Sequence, residues 1–152
     1  MREAGVLMPV SALPSRVGAG ELGESAFHFI ELLKKNHVRI WQILPLNPVG
    51  YGNSPYQPYS SCAGDDIYIS LDILAEEGLL KKSPMLFLEK CKKVDYERVR
   101  QYREPYLRAA FMAFVEQKGY EKPEYKEFAA QSWVYEYGVF RALKKANNGA
   151  CW

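Results

Sequence analysis

Val38-Arg39-Ile40-Trp41-Gln42-Ile43-Leu44-Pro45-Leu46 (VRIWQILPL) is a near-continuous apolar run of strand length, rich in β-branched residues. Such a run fits a parallel strand covered on both faces, because a half-exposed strand would alternate apolar and polar residues. Outward from it towards the N-terminus, Glu24 to Lys35 places Ala26, Phe27, Ile30 and Leu33 at helical spacing. Glu24 stands early in that segment and Lys34 and Lys35 late, as the helix dipole favours, and Asn36 is the expected left-handed cap. Further back, Gly5 to Val10 (GVLMPV) is a second short apolar run, stopped by Pro9 and followed by a loop with Gly18, Gly20 and Gly23. Together the three segments form a strand, helix, strand unit of the α/β class. Such a unit is right-handed and cannot bury both faces of its own sheet, so it needs further strands.

On the C-terminal side of the run lies Asn47 to Asp66 (NPVGYGNSPYQPYSSCAGDD). Strand-to-helix connections typically run roughly 2–6 residues, and this one is much longer. Its prolines restrict the backbone and its tyrosines can pack a ring while the hydroxyl finds a partner, so an ordered loop is expected. It leaves the carboxyl end of a parallel strand, where ligand loops of such folds sit. Ile67 to Leu71 then reads as a short strand, and the remainder as mostly helical. Leu71 to Leu80 is a short helix with Gly78 near its end. Asp95 caps a longer one whose apolar face is Val99, Tyr102, Tyr106, Ala110, Phe111, Phe114 and Val115, with a kink expected at Pro105. A last helix runs from about Ser132 to Lys145 with Trp133, Tyr137, Phe140 and Leu143 inward, and stops at Asn147-Asn148-Gly149. The chain ends on Trp152 directly after that stop signal, which reads as the truncation of a longer protein.

Composition narrows the function classes. The chain has 152 residues, a formal charge of +2 and scattered basic residues, which leaves no nucleic-acid footprint; Lys90-Cys91-Lys92-Lys93 reads as a solvated loop or helix end. No signal peptide and no membrane-spanning run is present, so a cytoplasmic protein is expected. Cys62, Cys91 and Cys151 are odd in number and widely spaced, which indicates neither a disulfide framework nor a zinc site. His28 and His37 have no recognisable nucleophile or acid partner and read as structural. Gly18, Gly20 and Gly23 match the G-x-G-x-x-G spacing, but they follow Ser15-Arg16-Val17 rather than a strand, so no phosphate loop is read there. The tandem acids Asp65-Asp66 read as structural or capping groups rather than as a catalytic pair. What remains is Tyr51, Asn53, Ser54, Tyr56, Gln57 and Tyr59, a mixture of flat rings and short hydrogen-bonding groups. That mixture suits a sugar, with its C–H faces and hydroxyls, although residue chemistry alone favours tyrosines that simply anchor a loop.

The order GVLMPVSALPS, GAGELG, IWQILPL, VGYGNSPYQPYSSCAG and IYISLDILAEEGLL closely resembles the start of the amylomaltase (4-alpha-glucanotransferase) family of the alpha-amylase superfamily. The segment Gly50-Tyr51-Gly52-Asn53-Ser54-Pro55-Tyr56-Gln57 is its most specific element, matching the family's Gly-Tyr-Gly-Asp-Ser-Pro-Tyr-Gln almost residue for residue. The resemblance weakens through Val94-Asp95-Tyr96 and returns at Phe140-Arg141-Ala142-Leu143-Lys144. Three departures stand beside it: Asp65-Asp66 where the family has Asn-Pro, Pro58-Tyr59 where it has Ser-Phe, and Asn47-Pro48-Val49 where it has Gly-Pro-Thr.

The resemblance implies the start of a (β/α)8 TIM barrel over residues 1–70, including the substrate loop 47–66, and an incomplete, mostly helical insertion over 71–152. It implies transfer of α-1,4-glucan segments between maltooligosaccharides by a retaining double displacement, with no metal and no organic cofactor. The catalytic residues are expected beyond residue 152, so none is assigned in this chain. Tyr56 would line the substrate cleft near the scissile bond with Ser54 beside it, and Tyr51 would belong to a separate glucan-binding groove. The expected partners are α-1,4-glucans and maltooligosaccharides, with neither nucleic acid nor membrane. Two alternatives are a non-catalytic glucan-binding protein derived from the enzyme and a hydrolase of the same superfamily.

Overall fold

The computed structural model of the protein describes residues 3–81 and 93–150; Lys90, Cys91, Lys92, Cys151 and Trp152 lie outside the described residues. Strands β1 (Gly5–Leu7) and β2 (Ile40–Gln42) pair in parallel, Gly5 opposite Ile40, Val6 opposite Trp41 and Leu7 opposite Gln42, with helix α1 (Glu24–Lys35) as the crossover. Both strands are shorter than the apolar runs that contain them. The Met8 amide still donates to the Gln42 carbonyl at 3.0 Å, but Pro9 has no amide to give and the chain then turns into a 3-10 segment over Val10–Ala12. Leu7, Ile40 and Ile43 remain 40–56% exposed, so the expected cover on both faces is absent among the described residues. The inner side is secured through Trp41, whose indole Nε1 donates to the Met8 carbonyl at 2.8 Å and whose ring meets Phe29 of α1 edge-on at 5.1 Å.

α1 begins and ends where its charges and periodicity place it, but its left-handed residue is His37 (φ 58°) and not Asn36 (φ −98°). The amides of His37 and Val38 return to the carbonyls of Lys34 and Leu33, the paired closure of a Schellman motif. Asn36 instead turns its amide side chain back to the Leu32 carbonyl at 2.8 Å, which keeps its backbone near the helix.

The three glycines after β1 have steric roles. Gly18 adopts φ 89°. A Cβ on Gly20 would come within 2.0 Å of the Val10 carbonyl oxygen, and one on Gly23 within 2.6 Å of Ser70 Oγ. Their spacing therefore serves close backbone packing of this loop against its neighbours.

The strand expected at Ile67 to Leu71 is instead a 3-10 turn over Asp66–Tyr68 followed by helix α2 (Leu71–Glu76). Two side chains redirect the backbone: Asp65 accepts from the Ile67 amide, and Ser70 accepts from the Ile73 amide as the cap of α2. α2 is shorter than the expected Leu71 to Leu80, and the chain leaves it through Gly78 at φ 76°.

Helix α3 (Tyr96–Glu116) is capped by Asp95, which accepts from the Arg98 amide at 3.1 Å, and it contains Pro105. Its buried residues are Val99, Arg103 and Ala110, whereas Phe111 is 58% and Val115 37% exposed, so the expected apolar face is narrower and has an arginine at its centre. Helix α4 (Pro123–Ala129), which the periodicity reading did not identify, starts on a proline at its first helical turn. Helix α5 (Ser132–Ala146) follows with Trp133, Tyr137 and Phe140 half-buried and Leu143 exposed rather than inward. Packing gathers in linked clusters: Val10, Leu13 and Ala26 under the sheet, Ala19, Ile67 and Val99 beside them, and Val17, Leu71, Leu80 and Ala110 between α2 and α3. Tyr68 packs against the first two, which places the exit of the long loop at the junction of sheet and helices. None of the described helices is long and apolar enough to cross a membrane.

Candidate functional site

The segment from Asn47 to Asp66 forms an ordered lobe closed at its base. The Asp65 amide donates to the Leu46 carbonyl at 2.8 Å, and Asn47 Nδ2 donates to the Ala63 carbonyl at 3.0 Å. Higher up, Val49 and Pro58 form an antiparallel bridge, with the Tyr59 amide on the Pro48 carbonyl and the Gly50 amide on the Gln57 carbonyl. Ser60 Oγ accepts from the amides of Cys62 and Ala63 and fixes the descending limb. These bonds satisfy backbone groups that a loop of this length would otherwise leave to water, which is why it holds one shape.

At the tip, Tyr51–Asn53 is a 3-10 turn with Gly52 at φ 79° and Asn53 at φ 53°. Ser54 follows in extended backbone, half-buried, and its carbonyl accepts from the Gln57 amide at 3.1 Å. Tyr56 is 72% exposed, a degree of solvation that a ring serving only to anchor a loop would not have. The tip thus holds Tyr51, Ser54 and Tyr56 in two successive turns, beyond the carboxyl end of β2. Tyr59 behaves differently, its ring packing against Phe140 of α5 at 5.6 Å between centroids, with Lys144 Nζ 5.5 Å from the ring.

The acids of the lobe are engaged in structure. Arg100 of α3 grips Asp65 with both guanidinium ends, at 2.8 and 2.6 Å, and reaches Asp66 Oδ1 at 3.4 Å, while Arg141 of α5 lies 3.8 Å from Asp66 Oδ2. Burial acts to raise the pKa of Asp65, but the hydrogen bond and charge of Arg100 outweigh it and hold the carboxyl below the ordinary carboxylate range. Asp66 is pushed above that range by desolvation and by the neighbouring charge of Asp65. Retaining glycoside chemistry needs two carboxyl groups roughly 5–5.5 Å apart across a sugar, one of them a free nucleophile. Asp65 and Asp66 are neighbours tied to arginines and cannot fill those two roles.

Sequence reading missed Arg103, whose side chain is 1% exposed. Its Nη1 donates to Glu21 Oε2 at 2.8 Å, its Nη2 donates to the Ile69 carbonyl, and its Nε has no partner. Ser70 completes the group by donating to Glu21 Oε1 at 2.9 Å. A cleft of about 630 Å³ opens between α3, α5 and the lobe, lined in part by Tyr59, Asp66, Arg100, Phe140 and Arg141. Tyr56 is not among its lining residues. Cys62 is a free, exposed thiol, and no cluster of three potential metal ligands occurs among the described residues.

Comparison with known proteins adds a lineage to this geometry. A family model described as 4-alpha-glucanotransferase matches residues 8–152. The 4-alpha-glucanotransferase of Synechocystis sp. is 41% identical over 99% of this chain and 31% of its own length, and that of Thermus thermophilus 38% over 99% and 30%. Among solved structures, the amylomaltase from Streptococcus agalactiae in complex with acarbose superposes with a TM-score of 0.86 at 30% identity, covering 99% of this chain and 31% of that one. The chain therefore spans about a third of the length of these relatives.

Proposed function

The chain belongs to the 4-alpha-glucanotransferase family, and from that premise we propose that it supplies the glucan-contacting lobe, but no catalytic carboxylate, of an enzyme that transfers α-1,4-glucan segments between maltooligosaccharides. Residues 1–70 are the opening strands and helix of a (β/α)8 barrel in this reading, and 71–152 part of a helical insertion beside it. The exposed outer residues of β1 and β2, Leu7 and Ile40, favour further barrel elements against them. Transfer proceeds by retaining double displacement in a cytoplasmic enzyme, with nucleophile and acid/base supplied from outside these residues.

One observation carries the proposal: Tyr56 stands 72% exposed on a lobe whose backbone is otherwise tightly bonded. A flat ring held in water on a rigid support suits stacking against the C–H face of a glucose unit, since little ordering is left to be done on binding. Ser54 stands beside it as a short hydrogen-bonding group, and Tyr51 belongs in this reading to a separate glucan-binding groove. In the full-length protein, Tyr56→Ala lowers kcat/KM for maltotriose disproportionation by about tenfold, the loss of one stacking contact in the transition state. Its melting temperature stays unchanged because the ring is exposed. Unaltered kcat/KM would remove Tyr56 from the site.

A further inference from the structure

Tyr59 links the glucan lobe to the helices. Its amide is fixed to the Pro48 carbonyl at 2.8 Å, so its backbone belongs to the neck of the lobe. Its ring lies over Gly50, where an added Cβ would meet ring atoms Cε1 and Cζ at 3.2 and 3.5 Å. Beyond Gly50 the same ring packs on Phe140 of α5, tilted at 56°, and Phe140 in turn stacks on Tyr137 at 6.1 Å. Lys144 stands 5.5 Å from the Tyr59 ring centre while its ammonium donates to the carbonyls of Gly149 and Ala150, just past the end of α5. The ring, 44% exposed, is thus held on one side by the neck at Gly50 and on another by the Phe140 ring, three residues from Tyr56 and close to the turn that begins at Tyr51.

We propose that Tyr59 is a positioning residue: pressed between Gly50 and Phe140, it sets the angle of the lobe on α5 and thereby the place of the Tyr56 ring in the glucan site. The proposal rests on the reading of Tyr56 as a glucan contact. A glycine at position 50 fits this role, since a side chain there would push against the ring and the Gln57 carbonyl, 3.2 Å away. Misplacing a substrate-orienting group by about an ångström costs up to two orders of magnitude in rate, so a wedge of this kind has catalytic leverage without touching substrate.

The test is a double-mutant cycle in the full-length protein, with maltotriose disproportionation as readout. Tyr59→Ala lowers kcat/KM by about tenfold, Tyr59→Phe keeps the wedge and restores it, and Tyr59→Ala added to Tyr56→Ala lowers it no further. Should Tyr59→Ala not fold, Tyr59→Leu replaces it, retaining apolar volume without the flat ring. Wild-type kinetics in Tyr59→Ala, or in Tyr59→Leu where that replaces it, or losses that multiply in the double variant, overturns the positioning role while leaving Tyr56 in place. Wild-type kinetics in Tyr56→Ala alone overturns both.

Discussion

Arg103→Met is expected to cost about 3–5 kcal/mol, the range for leaving a buried charge without its partner. Arg103 is 1% exposed and Glu21 only 14%, so removing the guanidinium strands the Glu21 carboxylate in a place that water scarcely reaches. The substitution also takes the donor from the Ile69 carbonyl at the start of α2. Ser70 still donates to Glu21, but one hydroxyl offsets a fraction of the lost charge interaction. In thermal unfolding this appears as a fall on the order of 10 °C. Glu21→Gln combined with Arg103→Met removes both charges, and the pair is expected to recover most of the loss, because the cost lies in the unpaired ion rather than in the absence of the pair. A single variant within about 1 kcal/mol of the parent would mean that Glu21 is solvated and that the network does not hold α3 to the sheet layer.

Asp65→Asn is the second large effect, about 3 kcal/mol at neutral pH, and its pH dependence has a defined sign. Because Asp65 has a folded-state pKa below its unfolded value near 3.9, it binds fewer protons when folded. Its contribution is fully present above the unfolded pKa and is lost as pH falls through the folded one. The Asn variant should therefore be less stable than the parent at pH 7 and converge with it in strong acid. Asp66 has the opposite sign, since its raised pKa means that the folded state prefers the protonated form and is penalised as pH rises. Asp66→Asn is expected to leave neutral-pH stability unchanged or higher. Urea unfolding of the two variants across the acid range separates the neighbours, and equal losses at pH 7 would show that Arg100 does not discriminate between them.

What was legible in the sequence is what local chemistry determines. Glu24–Lys35 and Ser132–Ala146 announce themselves by apolar spacing and terminal charges, and Asp95 by its place before Val99, Tyr102 and Tyr106 at helical spacing. Where a side chain competes with the backbone, pattern misleads: Ile67, Ile69 and Leu71 alternate as a strand would, yet Asp65 and Ser70 capture amides and curl the chain into helical turns. α4 did carry a signal, Pro123 at the first helical turn with Glu124 behind it, but too few apolar residues recur over its seven residues for a periodicity reading.

The site divides along the same line. Tyr51, Ser54 and Tyr56 are candidates because the segment itself is distinctive, whereas the partners that hold the lobe leave no such signal. Arg100 meets Asp65 across 35 residues, Arg103 meets Glu21 across 82, and Tyr59 finds Phe140 only once α5 has docked. Such pairings depend on tertiary placement and leave no mark in local spacing. Asp65-Asp66 and Pro58-Tyr59, the places where the sequence departs from the pattern its family resemblance implies, have partners in α3 and α5.

The most direct measurement is the product profile of the full-length protein with maltotriose as sole substrate. Glucose together with maltooligosaccharides longer than maltotriose is expected, while the total number of reducing ends stays constant, since each glycosidic bond broken is remade on another chain. A steady rise in reducing ends without longer products would contradict it and identify water, rather than a second glucan, as the acceptor.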